Sequence, residues 1–373
     1  MSLRGSATAI ADALTRALLV VVSLTATTAN ALEDWQPLPP GGVTRIAFGS
    51  CAKQWERQPI WNIVLGADPD LFLFIGDAIY GDWHGDKPFV PTERTLRADW
   101  ESLGEKPEFI AVRRRIPVMA TWDNHDYGTY NGGGEFPLKE VTRRQFLDFF
   151  GEPQDSPRRS RPGIYEARIF GPEGRRVQVI LLDTRWSRGS FKKDPRSPEE
   201  RKAQGKVGPY LPNDDAEASV LGEEQWQWLA EQLRERANIR LIVSSTQIIA
   251  DQKGMDEWGA FPRERQRLFD LVRKTAAKGV LILSGNVHFA EVSRWDGGNY
   301  PLYDFTASGM THVNPDYAAA PNRYRVAGPF VENNVGLVEI DWQARPSPVI
   351  RMKALSVHGH VGFEREIILD ALR

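Results

Sequence analysis

Short apolar runs recur along the chain, and polar residues follow most of them. The runs predict strands at 44–48, 71–75, 117–121, 177–182, 241–243 and 280–283. The run at 71–75 is apolar throughout, which is typical of a strand buried on both faces. The segments 223–236 and 263–278 instead carry apolar residues at helical spacing. Strands that alternate with helices predict an α/β core with parallel strands.

The last third of the chain has a different pattern. Apolar runs at 302–306, 336–341 and 349–355 predict strands without intervening helices. Antiparallel strands need only short connections, so we expect a more antiparallel portion here. Two segments rich in charge, Pro and Gly, 84–110 and 186–220, are predicted to be long loops that cover a site.

Polar residues that could bind a ligand or take part in catalysis follow the predicted strands. Cys51 follows the first strand, Asp77 the second, and Asp123-Asn124-His125-Asp126 the third. Three later strands are followed by Arg185, by Ser-Ser-Thr-Gln at 244–247 and by Asn-Val-His at 286–288. In open α/β sheets, ligands bind outside the carboxyl ends of the strands. Six strands that end in this way predict one functional site at that edge.

Each of these features also has a structural interpretation. Capping or an Asx turn would satisfy one of the four polar side chains at 123–126, but not all four. A lone His at a strand end, such as His288, is usually structural, although the adjacent Asn286 favours a ligand. Arg185 suits a surface ion pair and phosphate oxygens equally well. Tyr80 either packs its ring or offers a phenol oxygen to a hard trivalent metal such as Fe(III).

Composition narrows the class of protein. The chain has 373 residues, of which 41% are hydrophobic and 26% charged, as is ordinary for a soluble globular enzyme. The net charge of −2 gives no electrostatic argument for binding nucleic acid or an anionic membrane. Cys51 is the single cysteine, so it has no internal disulfide partner. It is therefore either buried and inert or reactive and bound to a metal.

Residues 1–31 differ from the rest of the chain. Positive charge precedes a short apolar run at 17–24, and small residues follow up to residue 31. This order predicts a secretory signal peptide and an exported protein, periplasmic or extracellular. The apolar run is far shorter than the roughly 20 residues that span a bilayer, so no permanent membrane anchor is expected. The mature chain, 32–373, is predicted to form one domain.

Taken together, the motifs resemble those of the PhoD-like alkaline phosphatases, within the metallophosphatase superfamily. The resemblance covers residues 44–310. It rests on FGSC (48–51), PDLFLFIGDAIYGD (69–82), ATWDNHDYG with Asn131 (120–131), LLDTR (181–185), SGNVHFAE (284–291) and DFTASGMTH (304–312). It implies an α/β, four-layer metallophosphatase-type sandwich, with central mixed β-sheets flanked by helices. It also implies an exported, metal-dependent phosphoesterase for phosphate monoesters, diesters or both.

The resemblance also implies roles for individual residues in a binuclear or multinuclear metal site, with iron and calcium or another divalent metal. The implied metal ligands are Cys51 as a thiolate, Asp77, Tyr80, Asp123, Asn124, Asn131, Asn286 and His288. The family's pattern is altered at 123–126, so either Asp123 or Asn124 is the ligand there. Asn286 stands where Asp is common in the family, which removes a negative charge and weakens a calcium-type site.

The reaction expected from these residues is hydrolysis of a small-molecule phosphate ester by metal-activated water or hydroxide. Arg185 is expected to hold the non-bridging oxygens, and His125 to protonate the leaving alkoxide. One alternative is a non-catalytic binding protein on a decayed phosphatase fold, but most expected ligands are present. Another is a metallohydrolase for a different bond, which the phosphate-suited Arg185 disfavours.

Overall fold

The computed structural model describes residues 35–85 and 87–373. The predicted signal peptide, residues 1–31, lies outside the described residues. Within the described part of the chain, no helix has the length and apolar character needed to cross a membrane. Two large mixed β-sheets, of six and seven strands, form the centre of the structure.

The strands and helices follow one another along the chain. The strands are β1 (Arg45–Gly49), β2 (Leu71–Ile75), β3 (Trp83–His84), β4 (Lys87–Pro88), β5 (Val118–Thr121), β6 (Glu166–Phe170), β7 (Val177–Leu181), β8 (Lys192–Lys193), β9 (Tyr210–Leu211), β10 (Ile239–Val243), β11 (Val280–Ser284), β12 (Ala290–Trp295), β13 (Leu302–Ala307), β14 (Arg325–Phe330), β15 (Asn334–Asp341), β16 (Val349–Ser356) and β17 (Val361–Ile368). The α-helices are α1 (Ile60–Ala67), α2 (Glu93–Gly104), α3 (Pro107–Arg113), α4 (Asn124–Tyr127), α5 (Lys139–Phe149), α6 (Pro198–Ala203), α7 (Gly222–Gln232), α8 (Pro262–Lys274) and α9 (Pro315–Ala319).

The first sheet has the strand order β17-β16-β15-β1-β2-β5. Strands β1, β2 and β5 are parallel, with Ile46 opposite Leu71 and Phe72 opposite Val118. Strands β15, β16 and β17 form the antiparallel half. Because β1, β2 and β5 run in the same direction, the residues that follow them meet at one edge of the sheet.

The second sheet has the order β14-β12-β13-β11-β10-β7-β6. Strands β7, β10, β11 and β13 are parallel, and β6, β12 and β14 are antiparallel to their neighbours. The expected antiparallel portion near the end of the chain is therefore present in both sheets. The four parallel strands again place their carboxyl ends at a common edge.

Three apolar clusters define four layers. The central cluster lies between the sheets, where Phe48 of the first meets Phe305 of the second edge-on, with ring centroids 4.9 Å apart. Alternate residues of β2, Phe72 and Phe74, face outward onto helices α1, α2, α3 and α5. Helices α7 and α8 cover the outer face of the second sheet. The predicted four-layer α/β fold is confirmed.

The segment 84–110 is not a long loop, because it contains α2 and most of α3. Thr92 caps α2 and accepts a hydrogen bond from the third helical residue, in a capping box. Leu96, Trp100 and Leu103 bury one face of this helix. The opposite face is charged, and this charge hid the helical pattern from the sequence-based prediction.

Candidate metal-dependent active site

The strand ends bring three predicted ligands to one point. Cys51 follows β1, Asp77 follows β2 and His288 follows β11. One ligand atom from each residue lies within 4.8 Å of the others. Cys51 and Asp77 have no exposed surface. Thiolate, carboxylate and imidazole groups at this spacing suit a transition metal.

The backbone is strained at the same places. Cys51, Asp77, Asn131, Asn286 and His288 are non-glycine residues with φ between 50° and 71°. Only two other non-glycine residues in the described chain have a positive φ. Such conformations cost about 1–3 kcal/mol each and concentrate at ligand-binding sites. The strain thus coincides with the residues expected to bind metal.

Asp126 anchors the loops around the site. Its carboxylate accepts hydrogen bonds from the backbone N–H groups of Asp77, Ala78, Ile79 and Asp123 at 2.5–3.0 Å. Four backbone N–H donors thus engage both oxygens of the Asp126 side chain. Asp126 therefore clamps the loop after β2 to the loop after β5, and it is not needed as a ligand.

Two buried oxygens at the site have no partner. Asp123 Oδ2 and Asn124 Oδ1 make no hydrogen bond, although each side chain is only 1% exposed. A buried acceptor left unpaired costs about 1–3 kcal/mol. A cation at these oxygens would remove that cost. Asp123 and Asn124 were the two alternative ligands in this motif, and each therefore has an oxygen available to a metal.

Among the described residues, Cys51, Asp77 and Tyr80 form no ion pair with a basic side chain, although Arg185 pairs with Asp123. Burial, followed by the charge of Asp77, raises the pKa of the Cys51 thiol. Burial raises the pKa of Asp77 to about 7. Burial, with Cys51 and Asp77 nearby, raises the pKa of Tyr80 well above its usual range. A bound cation favours the deprotonated forms of such groups. The residues present therefore fit a metal.

Arg185 lies behind the site. Its side chain has no exposed surface, and its Nε donates to Asp123 Oδ1 at 2.8 Å. Its Nη1 donates to Asp256 Oδ2 at 2.5 Å, and its Nη2 donates to Asp123. The expected contact with phosphate oxygens is therefore not supported, because two carboxylates take up the guanidinium. The geometry instead makes Arg185 a positioning residue for Asp123.

His125 is held on two sides. Its Nδ1 lies 2.6 Å from Asp82 Oδ1, and its ring stacks on Tyr80 with centroids 4.1 Å apart. Burial acts to lower the pKa of His125, but the charges of Asp77 and Asp82 outweigh it and raise the pKa. A proton held near neutral pH is what a general acid requires. Asp82 was not predicted as a site residue from the sequence, although it ends the motif at 69–82.

His312 is a second residue that the sequence analysis missed. Its Nε2 lies 3.2 Å from the Tyr80 hydroxyl oxygen, and the centroids of the His312 and His288 rings are 4.2 Å apart. Burial lowers the pKa of His312 to about 3 and also lowers the pKa of His288. Both imidazoles are therefore neutral, the form that binds metals. The motif at 304–312 ends in His312, and this position could have identified it as a site residue.

A cavity of about 110 Å³ lies beside these groups. The predicted site residues that line it are Asn124, His125, Asn131, Asn286 and His288. Asn131 donates to the Tyr210 hydroxyl at 2.8 Å, and Asn286 donates to the Asp256 carbonyl at 3.0 Å. Residues 207–210 form the opposite wall, so part of the segment expected to cover the site does so. A wider groove of about 760 Å³ between α7 and α8 contains none of the predicted site residues.

The site thus lies at the strand ends of a four-layer α/β sandwich, and its side chains are of types that can bind a metal. The model of the PhoD-like phosphatase family matches residues 46–315. The chain therefore belongs to the PhoD-like phosphatase family, which supports its assignment as a phosphoesterase.

Three known proteins illustrate the likeness. Alkaline phosphatase D of Bacillus subtilis (strain 168) is 23% identical over 291 residues, which cover 68% of this chain and 47% of the relative. The chain thus spans about half the length of this curated relative. The structure of PhoD matches with a TM-score of 0.65 and 16% identity, over 89% of this chain and 73% of that chain. GAP50, the anchor in the inner membrane complex of Plasmodium, matches with a TM-score of 0.52 and 12% identity, over 88% of this chain and 89% of that chain. The two structural likenesses show the fold alone.

Proposed function

We propose that this protein is an exported, metal-dependent phosphoesterase that hydrolyses small-molecule phosphate monoesters, diesters or both. The observation that carries the proposal is the cluster of Cys51, Asp77 and His288, whose ligand atoms lie within 4.8 Å of one another. Beside it, His125 lines a cavity. Family membership supports the phosphoesterase class, and the order of charge and apolar residues in 1–31 supports export.

The chain offers two types of ligand. Cys51, Asp77 and His288 would hold a first ion, with Tyr80 beside them, and their sulfur and nitrogen atoms suit iron. Amide and carboxylate oxygens suit calcium. The residues that would hold a second ion with such oxygens are Asp77, Asp123 or Asn124, Asn131 and Asn286. When bound, the ions supply positive charge to the phosphoryl oxygens and acidify the attacking water.

His125 is the proposed proton donor. Its Nδ1 is engaged by Asp82 at 2.6 Å, so Nε2 is the nitrogen left to protonate the departing oxygen. The Asp82 carboxylate fixes the ring and stabilises its charged form, as a carboxylate does for a catalytic imidazole elsewhere. Arg185 contributes indirectly, because it holds Asp123 in place.

Metal analysis combined with a panel of substrates tests this proposal. The purified protein is assayed on phosphate monoesters, phosphate diesters and amides, before and after chelation and again after metal is restored. We expect bound iron or another transition metal, hydrolysis of a phosphate ester, and loss of hydrolysis on chelation. Full activity in metal-free protein, or hydrolysis of amides alone, would contradict the proposal. Bound metal without hydrolysis would favour the binding-protein alternative.

A further inference from the structure

The cavity beside His125 is too small for a whole ester. Its volume is about 110 Å³, whereas pockets for larger organic ligands usually measure about 300–1,000 Å³. A bound phosphoryl group would take up much of this space. The organic part of the substrate must then lie at the mouth of the cavity. The residues at the mouth therefore decide which organic group fits, an inference that rests on the proposed function.

Aromatic and apolar side chains form part of the lining of this cavity. They are Tyr130, Tyr210, Tyr317, Val207, Pro209 and Met255. The Tyr210 ring is fixed, since it stacks on Phe191 at 4.1 Å. Asp256 is the carboxylate that lines the described cavity, and Arg185 pairs with it at 2.5 Å. The mouth thus offers ring surfaces and little unpaired charge.

Two exposed aromatic side chains lie against the stacked Tyr80–His125 pair, Trp55 on Tyr80 and Tyr130 on His125. Trp55 is 37% exposed and Tyr130 is 56% exposed, and within residues 35–85 and 87–373 they are the most exposed Trp, Tyr or Phe side chains. The ring centroids of Trp55 and Tyr80 are 6.0 Å apart, and those of Tyr130 and His125 are 5.9 Å apart. Tyr80 and His125 are the stacked pair at the centre of the site. The two exposed rings therefore lie close to the group proposed to protonate the leaving oxygen.

We propose that this aromatic rim, defined as Trp55, Tyr130, Tyr210 and Tyr317, binds an aromatic leaving group. The preferred substrates are then phosphate esters whose organic part carries an aromatic ring next to the ester oxygen, such as an aryl or arylmethyl group. Planar rings gain from offset or edge-on contact with other rings, and a saturated ring of equal size does not. One ring-on-ring contact is expected to favour the aromatic ester about tenfold.

Benzyl phosphate and cyclohexylmethyl phosphate isolate this effect. Both esters release a primary alcohol with the same number of carbon atoms, but only benzyl phosphate carries a planar ring. We expect kcat/KM of the metal-loaded protein to favour benzyl phosphate about tenfold. Tyr130→Leu and Trp55→Leu should each reduce the preference, whereas Tyr130→Phe should keep it. Both positions are exposed, so the variants are expected to fold.

The outcomes separate the rim from the proposed function. Equal kcat/KM for the two esters, or an unchanged preference in both Leu variants, would overturn the rim and leave the phosphoesterase assignment intact. If neither ester is hydrolysed, the proposed function fails for them, and calorimetric binding of benzylphosphonate and cyclohexylmethylphosphonate still tests the rim. Binding about tenfold tighter for benzylphosphonate supports it. Equal binding overturns it.

Discussion

Two clusters of buried polar groups in this protein are built in opposite ways. In the first, the Glu291 carboxylate is fully satisfied by its partners, and the side chains of Lys253 and Glu291 have no exposed surface. The Glu291 carboxylate accepts hydrogen bonds from Lys253 at 3.1 Å, Gln247 at 2.8 Å, Asn322 at 2.9 Å and Arg325 at 2.5 Å. Burial acts to raise the pKa of Glu291, but Lys253 and Arg325 outweigh it and lower the pKa.

The second cluster, at the strand ends, is not satisfied by the chain. Asp123 Oδ2 and Asn124 Oδ1 have no partner, and burial raises the pKa of Asp77 to about 7. The surrounding structure holds Cys51 and His288 of this cluster in strained backbone conformations. Folding alone favours the first kind of cluster, because buried charge is stable when paired. A cluster left short of positive charge indicates a site that a ligand completes.

Asp77→Asn should separate the two clusters with the largest effect. The change preserves size but removes a ligand charge. Metal ions supply several kcal/mol to a transition state, and about 1.4 kcal/mol corresponds to a tenfold change in rate. We therefore expect kcat/KM to fall about 10⁴-fold or more, with loss of bound metal. The thermal stability of the metal-free protein should not fall, because the change removes a buried charge. A destabilised variant that keeps its metal would show that Asp77 is structural.

His125→Gln should give the next largest effect. Loss of a general acid costs about 10²–10⁴-fold in rate. The loss should be large for alkyl phosphates and small for nitrophenyl phosphate, whose leaving group needs no proton. Asp82→Asn should show the same dependence on the leaving group in weaker form, since Asp82 acts through His125. Equal losses for both esters would contradict the role of proton donor.

Glu291→Gln tests the first cluster, in which the buried carboxylate is fully hydrogen-bonded. The change should lower the free energy of unfolding and leave the metal content unchanged. Removing one member of a buried pair costs about 3–5 kcal/mol of unfolding free energy. Lys253→Met should cost less, because Arg325 still pairs with Glu291. Denaturant titration gives the stability, and elemental analysis gives the metal content per folded molecule, which should stay at the wild-type level. A loss of metal without a loss of stability would erase the distinction between the clusters.

The strand ends could be predicted from the sequence because of a simple geometric rule. Continuous apolar runs mark buried parallel strands, and the residues after them meet at one edge. Cys51, Asp77 and His288 were placed together on this basis, and the structure does bring them together. Helices α2 and α5 were not predicted, since their charged faces mask the buried positions.

The side-chain partners could not be predicted in the same way. His125 and Asp82 are 43 residues apart, and Arg185 and Asp123 are 62 apart. Apolar patterns fix the faces of strands and helices, but they do not specify side-chain direction in the loops. For this reason Arg185 was expected to face the substrate, whereas it lies buried behind Asp123. The role of Asp82 was missed for the same reason.

Metal content per folded molecule in Cys51→Ser and Cys51→Ala tests the central claim most directly. Cys51 is fully buried, with its Sγ 3.4 Å from Asp77 Oδ2 and 3.3 Å from Ser308 Oγ. Serine keeps the size but is a poor ligand for iron, and alanine cannot bind metal at all. At equal folded fraction, measured by circular dichroism, we expect both variants to lose metal, turnover and charge-transfer absorption. Wild-type metal content and turnover in both variants would contradict it and show that Cys51 only packs.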